Sequence, residues 1–341
     1  MWAVVGKWLR LVWTNYYDDY PTYELADTAS VADMAIRSVL ALLGWDMSLD
    51  KALPFSPSFA QLGAIVDLSQ CTTNRIMIGN KPERTEAISK QIQLCVESGL
   101  CHSALAAEIV GKSQFATSHI TGRVAVGYIH ALTVHQHKVR GGRLDSGTIE
   151  ALEQLLFCLN NLGPRIIDSN GERRPILVFS DGAAEGEDRG IVSVGAVIAD
   201  TATQECVMFG DHVPKALVTS WKTDGKVQVI GQAELLPVLL SRLVRPGWFH
   251  KRRVFYFIDN ESARHSLVRG FSPAKGSSDI VREFVRREVR EHTFSWFARV
   301  PSASNPGDGP SRLDLTPAAS NLFAKPLPMP EVPKELLDAS T

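Results

Sequence analysis

The chain is predicted to be α/β, with a mixed sheet in its second half, and three observations predict it. Two apolar runs, 175–180 and 190–199, are rich in Val, Ile and Phe and flank a polar, turn-rich segment, which is the pattern of a β-hairpin. Further short apolar runs at 204–213, 253–258 and 294–300 alternate with helical segments, as strands and crossover helices do. Acids recur where these elements end or begin: Asp181 follows the first run, Glu234 lies in the opening turn expected of a helix at 232–244, Asp259 follows the fourth run, and Asp308 sits in a late loop.

Taken in order, the half from residue 175 gives three strands, a helix, a strand, two helices and a strand. The run Arg253-Val254-Phe255-Tyr256-Phe257-Ile258 has no polar residue after its first, so it reads as a strand buried on both faces. Asp259-Asn260 then leads into a helix over 262–269. The loop after the last strand holds Ser304-Asn305-Pro306-Gly307-Asp308-Gly309-Pro310-Ser311-Arg312. A lone acid at a strand's end is most simply a turn former or helix cap, and only the recurrence of four such acids argues for more.

This order, with Phe179-Ser180-Asp181-Gly182, Gln232-Ala233-Glu234-Leu235-Leu236, Phe257-Ile258-Asp259-Asn260 and the Asn305–Arg312 motif, resembles the ribonuclease H type 1 domain at the C-terminus of retroelement reverse transcriptases. One departure is Gly307, where that family commonly has Ala. The resemblance implies a ribonuclease H-like mixed five-stranded sheet with flanking helices, over 172–315. It also implies a site of Asp181, Glu234, Asp259 and Asp308 that hydrolyses the RNA strand of an RNA–DNA hybrid. Four crowded carboxylates repel one another and stay protonated unless cations neutralise them. All-oxygen ligands without Cys or His suit two Mg²⁺ or Mn²⁺ ions, with Asp181 expected to bridge them.

The first half extends the resemblance. Tyr16-Tyr17-Asp18-Asp19 is similar to the metal-binding hairpin of a reverse-transcriptase palm, so Tyr16, Asp18 and Asp19 are expected to be a polymerase remnant within 1–81. Residues 1–17 hold no Asp or Glu to pair with it, which implies a truncated, inactive polymerase part. From 82 to 165 the pattern turns helical. Ile88, Ile92, Cys95 and Val96 share one helical face, and Ile149, Leu152, Leu156 and Leu159 share another, as in a thumb or connection. Gly111-Lys112-Ser113 lacks the upstream glycine of a phosphate loop, since Ala106 stands there. His130, His135 and His137 have no cysteine at zinc spacing and read as packing or surface residues. The stretch 163–174 reads as a linker, 214–231 as an insertion without an assigned role, and 316–341 as a Pro-rich disordered tail.

Composition narrows the function classes. With 341 residues, 45% of them hydrophobic, the chain can bury one large or two ordinary cores. Five cysteines without paired spacing suggest a reducing compartment, nucleus or cytoplasm; Lys7 and Arg10 interrupt any signal-like apolar run, and no run is long enough to span a membrane. Net charge is −1, so any contact with nucleic acid must be local. The basic candidates are the 242–253 cluster, including Arg252 and Arg253, and Arg282, Arg286 and Arg290 at helical spacing; the acid motifs add Asn260, Asn305, Ser311 and Arg312. The competing expectation is a catalytically dead or domesticated nucleic-acid-binding relic.

Overall fold

The computed structural model describes residues 6–7, 9–14, 20–45, 47–48, 50, 52–120, 123–138, 141–168, 174–186, 190–222 and 228–338. Tyr16, Tyr17, Asp18 and Asp19 lie outside them, but the strands on either side are in view. Strands β1 (Val12–Trp13) and β2 (Thr22–Tyr23) pair antiparallel, with Val12 opposite Tyr23. Helix α1 (Ala29–Leu42) follows and buries Ile36 and Leu40 against Trp13.

The next unit is a four-stranded antiparallel sheet with helices inserted into it. Strands β3 (Ser58–Gln61), β4 (Ala64–Asp67) and β5 (Arg75–Asn80) form a meander. Helix α2 (Pro82–Ser98) starts with Pro at its first position and ends at Gly99, whose φ of +66° suits a residue without Cβ. Helices α3 (Ser103–Ile120), α4 (Val126–Lys138) and α5 (Ser146–Asn161) complete the insert, and Asp145 caps α5 by accepting from the Thr148 N–H at 2.7 Å. Ile88, Ile92 and Cys95 pack with Leu152 and Leu159 as the periodicity implies, joined by Leu155 and Cys158; Val96, Ile149 and Leu156 are only half-buried.

The expected linker at 163–174 is in part a strand. β6 (Arg165–Asp168) returns to pair with β5, Arg75 opposite Asp168, so the sheet closes around the helical insert and a boundary at 165 cuts through it. Four residues gave no strand signal because their pairing partner lies some ninety positions upstream.

The second large unit carries the predicted sheet. Strands β7 (Ile176–Glu185), β8 (Ile191–Asp200) and β9 (Glu205–His212) form an antiparallel meander. Helix α6 (Lys215–Trp221) fills the insertion after them, burying Leu217, Val218 and Trp221. The strand-like signal at 227–230 does not yield a strand among the described residues: Ile230 opens helix α7 (Ile230–Ser241). β10 (Arg253–Ile258), α8 (Glu261–Arg269), α9 (Lys275–Arg290) and β11 (Phe294–Arg299) follow, and both strands run parallel on the far side of β7. Helix α7 is buried from Gln232 to Ser241, enclosed between the sheet and α9, and this explains why its sequence is largely apolar on every side.

The expected disordered tail is ordered over its described residues, 316–338. After the short helix α10 (Asp308–Ser311), helix α11 (Thr316–Leu322) leads to β12 (Lys325–Pro326), which pairs parallel with β9. Helix α12 (Lys334–Asp338) follows. Ala318 and Ala324 pack on Val197 and Met208, while Val332 and Leu336 enter the main core. Prolines in this segment set extended, edge-like backbone that needs no ladder of its own, so composition alone misleads here. The sheet order is thus β11-β10-β7-β8-β9-β12, a mixed sheet with one strand more than the five expected.

Candidate metal centre

Strand register brings the first two acids together. β10 pairs with β7 as far as Ile258 opposite Ser180, so Asp259 and Asp181 are the next residues on adjacent parallel strands. Asp181 does not end its strand, as the sequence suggested. β7 continues to Glu185 against β8, and Asp181 lies where only the β10 side of the ladder stops. Glu234 arrives from α7, in its second turn rather than its first because the helix begins at Ile230.

Close approach of α7 depends on Gly182. A Cβ there would lie 2.3 Å from the Ala233 carbonyl oxygen, which no rotamer change relieves. Pro237, four residues beyond Ala233, has no N–H to offer that carbonyl, so the helix turned toward the strand is locally opened. Asp181, Glu234 and Asp259 each place a carboxylate oxygen within 4.8 Å of the others.

Burial and mutual repulsion dominate the electrostatics. Asp181 and Glu234 are each only 6% exposed. Desolvation, helped by the Asp259 and Asp308 charges, pushes the Asp181 carboxyl up to about 6, against the lowering effect of its hydrogen bond from Ser311. Desolvation and the Asp181 and Asp259 charges push Glu234 up to about 9, with Asn260 and the Gly182 amide acting the other way. At neutral pH, without a cation, the raised carboxyl of Glu234 therefore keeps its proton.

Asp308 stands apart from this trio. It opens α10, its side chain is 43% exposed, and its Oδ1 accepts from Arg312 Nε at 3.0 Å. Its charge nonetheless reaches Asp181. The α10 turn is seated in a trough made by two strand glycines that face each other, Gly195 on β8 and Gly210 on β9. A Cβ at either would come within 2.2 Å of the 310–311 backbone. Ser193 Oγ donates to the Ser311 carbonyl at 2.6 Å, and Ser311 Oγ donates to Asp181 Oδ2. Ser193, Gly195 and Gly210 were not singled out from the sequence, although glycine inside a strand is itself a sign that another backbone comes close.

The expected nucleic-acid contacts separate into two groups. Arg252 is buried and fixed by Asp200 Oδ1 at 2.6 Å and the Arg174 carbonyl, so it braces the sheet and is not a free cation. Asn305 is also buried: its Nδ2 donates to the Ser180 carbonyl at 3.0 Å and its Oδ1 accepts from the Gly307 N–H, which ties the Asp308 loop to β7. Ser311 is fully buried and engaged with Asp181. Asn305 and Ser311 thus position the site, whereas Arg252 braces the sheet at the opposite end of β7. Asn260 caps α8 through the Ala263 N–H at 3.0 Å beside Glu234. Arg253 and Arg312 are exposed. Of the other basic candidates, Arg242 is fully buried on Tyr256, Glu291 and Thr293, and Arg286 donates to Tyr128 Oη at 3.1 Å. His135 is a core residue, its Nε2 2.9 Å from the Cys101 carbonyl, and the His130 ring packs on Phe271.

Two unpartnered buried atoms fit a cation. Glu234 Oε2 and Asp259 Oδ1 are shielded from solvent without a hydrogen-bond donor, a costly state for a carboxylate oxygen that a hard divalent ion relieves.

No protein-family model matches the chain, and no curated protein matches it. Solved structures do resemble it. Ribonuclease H1 from the halophilic archaeon Halobacterium salinarum NRC-1 is 18% identical over 42% of this chain and 100% of its own, with a TM-score of 0.31. The foamy viral protease-reverse transcriptase in complex with RNA/DNA hybrid is 13% identical over 85% of this chain and 36% of its own, with a TM-score of 0.39. A second foamy viral structure, with double-stranded DNA, is 14% identical over 87% of this chain and 48% of its own, again with a TM-score of 0.39. The chain spans less than half the length of either viral structure.

Proposed function

We propose that this chain is a metal-dependent endonuclease that hydrolyses the RNA strand of RNA–DNA hybrids, in a protein derived from a retroelement reverse transcriptase. The observation that carries the reading is the trio of Asp181, Glu234 and Asp259, drawn from three separate elements to within 4.8 Å with two buried oxygens left without donors. Repulsion among them opposes folding, so their convergence is explained by a ligand that neutralises them.

Asp181, Glu234 and Asp259 would hold Mg²⁺ or Mn²⁺, with Asp308 completing the set from its more open side. Two such ions would supply an activated water and stabilise the leaving oxygen of a phosphodiester. The protein's own contribution is positional. Ser311 holds Asp181 Oδ2, which fixes the carboxylate's rotation. Glu234, whose carboxyl is raised by burial and the neighbouring carboxylates, would have to give up its proton to act as a ligand. Asp308, half-exposed and paired with Arg312 among the described residues, would be free to exchange that partner during turnover.

The first half supports the derivation. An antiparallel ladder flanks the Tyr16–Asp19 segment on both sides, as a palm hairpin requires, with the Thr14 N–H donating to the Pro21 carbonyl at 2.9 Å. All five cysteines are free and three are buried, in keeping with a reducing compartment, nucleus or cytoplasm. No helix among the described residues is long and apolar enough to cross a membrane.

The test is cleavage of an end-labelled RNA–DNA hybrid by the full chain. Cleavage is expected with Mg²⁺ and not with EDTA, and Asp259→Asn is expected to lose at least a hundredfold in rate while melting within a few degrees of wild type. Hybrid binding without cleavage under any divalent ion would leave a nucleic-acid-binding relic instead.

A further inference from the structure

The larger sheet has two faces, and only one is fully covered. The face built by Ile176, Val178, Val254, Tyr256, Ile258 and Phe297 is buried under α7 and α9. On the other face, α11 and the residues around it cover β8 and β9, where Ala318 and Ala324 meet Val197 and Met208. Phe179 of β7 meets the edge of that cover, and over β10 and β11 the described residues leave it incomplete.

Register shows what is left open. Trp296, Phe255 and Leu177 form one row across β11, β10 and β7; Ala298, Phe257 and Phe179 form the next, and Phe294 stands opposite Arg253. Trp296 is 67% exposed and Phe294 44%, and Phe255 and Phe257 are half-buried. Phe257 stacks on Phe179, with centroids 4.6 Å apart. A contiguous apolar patch of this kind on a sheet marks a binding surface.

Charge decides the partner. Neither β10 nor β11 contains an acid, and the exposed Arg253 lies beside Phe294 on the same face. A second cation comes from the other sheet: the Arg165 guanidinium of β6 sits 5.3 Å from the centre of the Phe294 ring. Flat aromatic surface flanked by guanidinium groups matches unpaired nucleotides, whose bases stack on aromatic rings while their phosphates pair with arginine. Trp296 pairs with Phe255, four residues before Asp259, so the platform begins roughly 13 Å from the carboxylates by strand rise, a span of two or three nucleotides.

We propose that Trp296, Phe294, Arg253 and Arg165 form a stacking platform for single-stranded nucleic acid, so that a hybrid with a single-stranded extension is held at two places. This extends the reading of the chain as a hybrid nuclease, but the platform is testable without catalysis.

The experiment measures anisotropy of a fluorescent twelve-nucleotide oligothymidylate with the full chain in EDTA, where no cleavage occurs. Trp296→Ala is expected to weaken binding at least fivefold, Trp296→Phe to retain most of it, and Arg253→Gln to lower affinity and flatten its salt dependence. All three variants are expected to melt like wild type, because the substituted side chains are exposed. Equal affinity of wild type and Trp296→Ala overturns the proposal. So does a concentration-dependent dimer, seen by sedimentation, that Trp296→Ala abolishes while oligonucleotide binding persists, since the face is then a contact between copies. Platform binding that depends on Trp296 in a chain that never cleaves hybrid would sink the nuclease reading and leave this one standing.

Discussion

Glu234 shows most clearly what the carboxylate cluster demands of single residues. Its carboxyl is raised to about 9 and that of Asp181 to about 6, whereas in the unfolded chain both titrate near ordinary values. The metal-free folded state therefore binds more protons than the unfolded state from about pH 4 upward, and its stability falls as pH rises through that window. Glu234→Gln removes the larger part of this effect. The difference in melting temperature between wild type and Glu234→Gln is expected to move in the variant's favour between pH 5 and pH 8 without metal. Added Mg²⁺ is expected to restore wild type at pH 8 and do nothing for the variant. A difference that stays constant with pH would show that Glu234 is not held protonated.

Ser311 acts on the same cluster without belonging to it. Its hydroxyl is the donor that fixes Asp181, and removing a donor that orients a metal-binding carboxylate typically costs about 10–100-fold in metal affinity. Ser311→Ala is expected to shift the Mg²⁺ midpoint of thermal stabilisation upward by about tenfold, and Ser311→Thr to return most of it. A stability loss with an unchanged Mg²⁺ midpoint would make the serine a packing residue only.

At the scale of elements, what the sequence made legible is what periodicity and strand-end chemistry encode. Apolar runs marked β7 to β11, and the recurring acids pointed to four carboxylates, of which Asp181, Glu234 and Asp259 converge. The rest was hidden for identifiable reasons. Arg252 looks like a surface cation beside Arg253, but strand alternation turns one inward to Asp200 and the other outward. The two-residue strand β12 pairs with a partner more than a hundred positions away, which no local signal announces. Its prolines suggested disorder, yet the segment after it inserts Val332 and Leu336 into the core. Leu336→Ala is therefore expected to destabilise the chain by about 2–4 kcal/mol, measured by urea unfolding, as a buried leucine does and a tail leucine does not. A change below about 0.5 kcal/mol would return the segment to the role of a loose tail.

At the scale of the whole molecule, the helical insert and the larger sheet are joined at a polar seam centred on Arg123. Its Nη1 donates to the Leu267 carbonyl at 2.9 Å, its Nη2 meets both Glu288 oxygens at 2.6 Å, and its guanidinium lies 4.9 Å from the Phe297 ring centre. Gly270 leaves room for it, since a Cβ there would lie 2.7 Å from the Arg123 Cβ. Leu267 is near the end of α8, whose first turn is capped by Asn260 beside the cluster, so the seam fixes the insert relative to the cleft through one short helix. The unit from 175 onward is nearly neutral in sequence, and a long hybrid, if that is the substrate, would extend beyond it. If the insert helps to hold that hybrid, Arg123→Ala loosens the grip and leaves the carboxylates in place. The expected kinetics are a KM for hybrid raised several-fold with kcat within about twofold of wild type, and a deletion of residues 1–173 raises KM further in the same sense. A fall in kcat at unchanged KM would mean instead that the seam acts through α8 on Asp259, and that the insert shapes the site without touching the substrate.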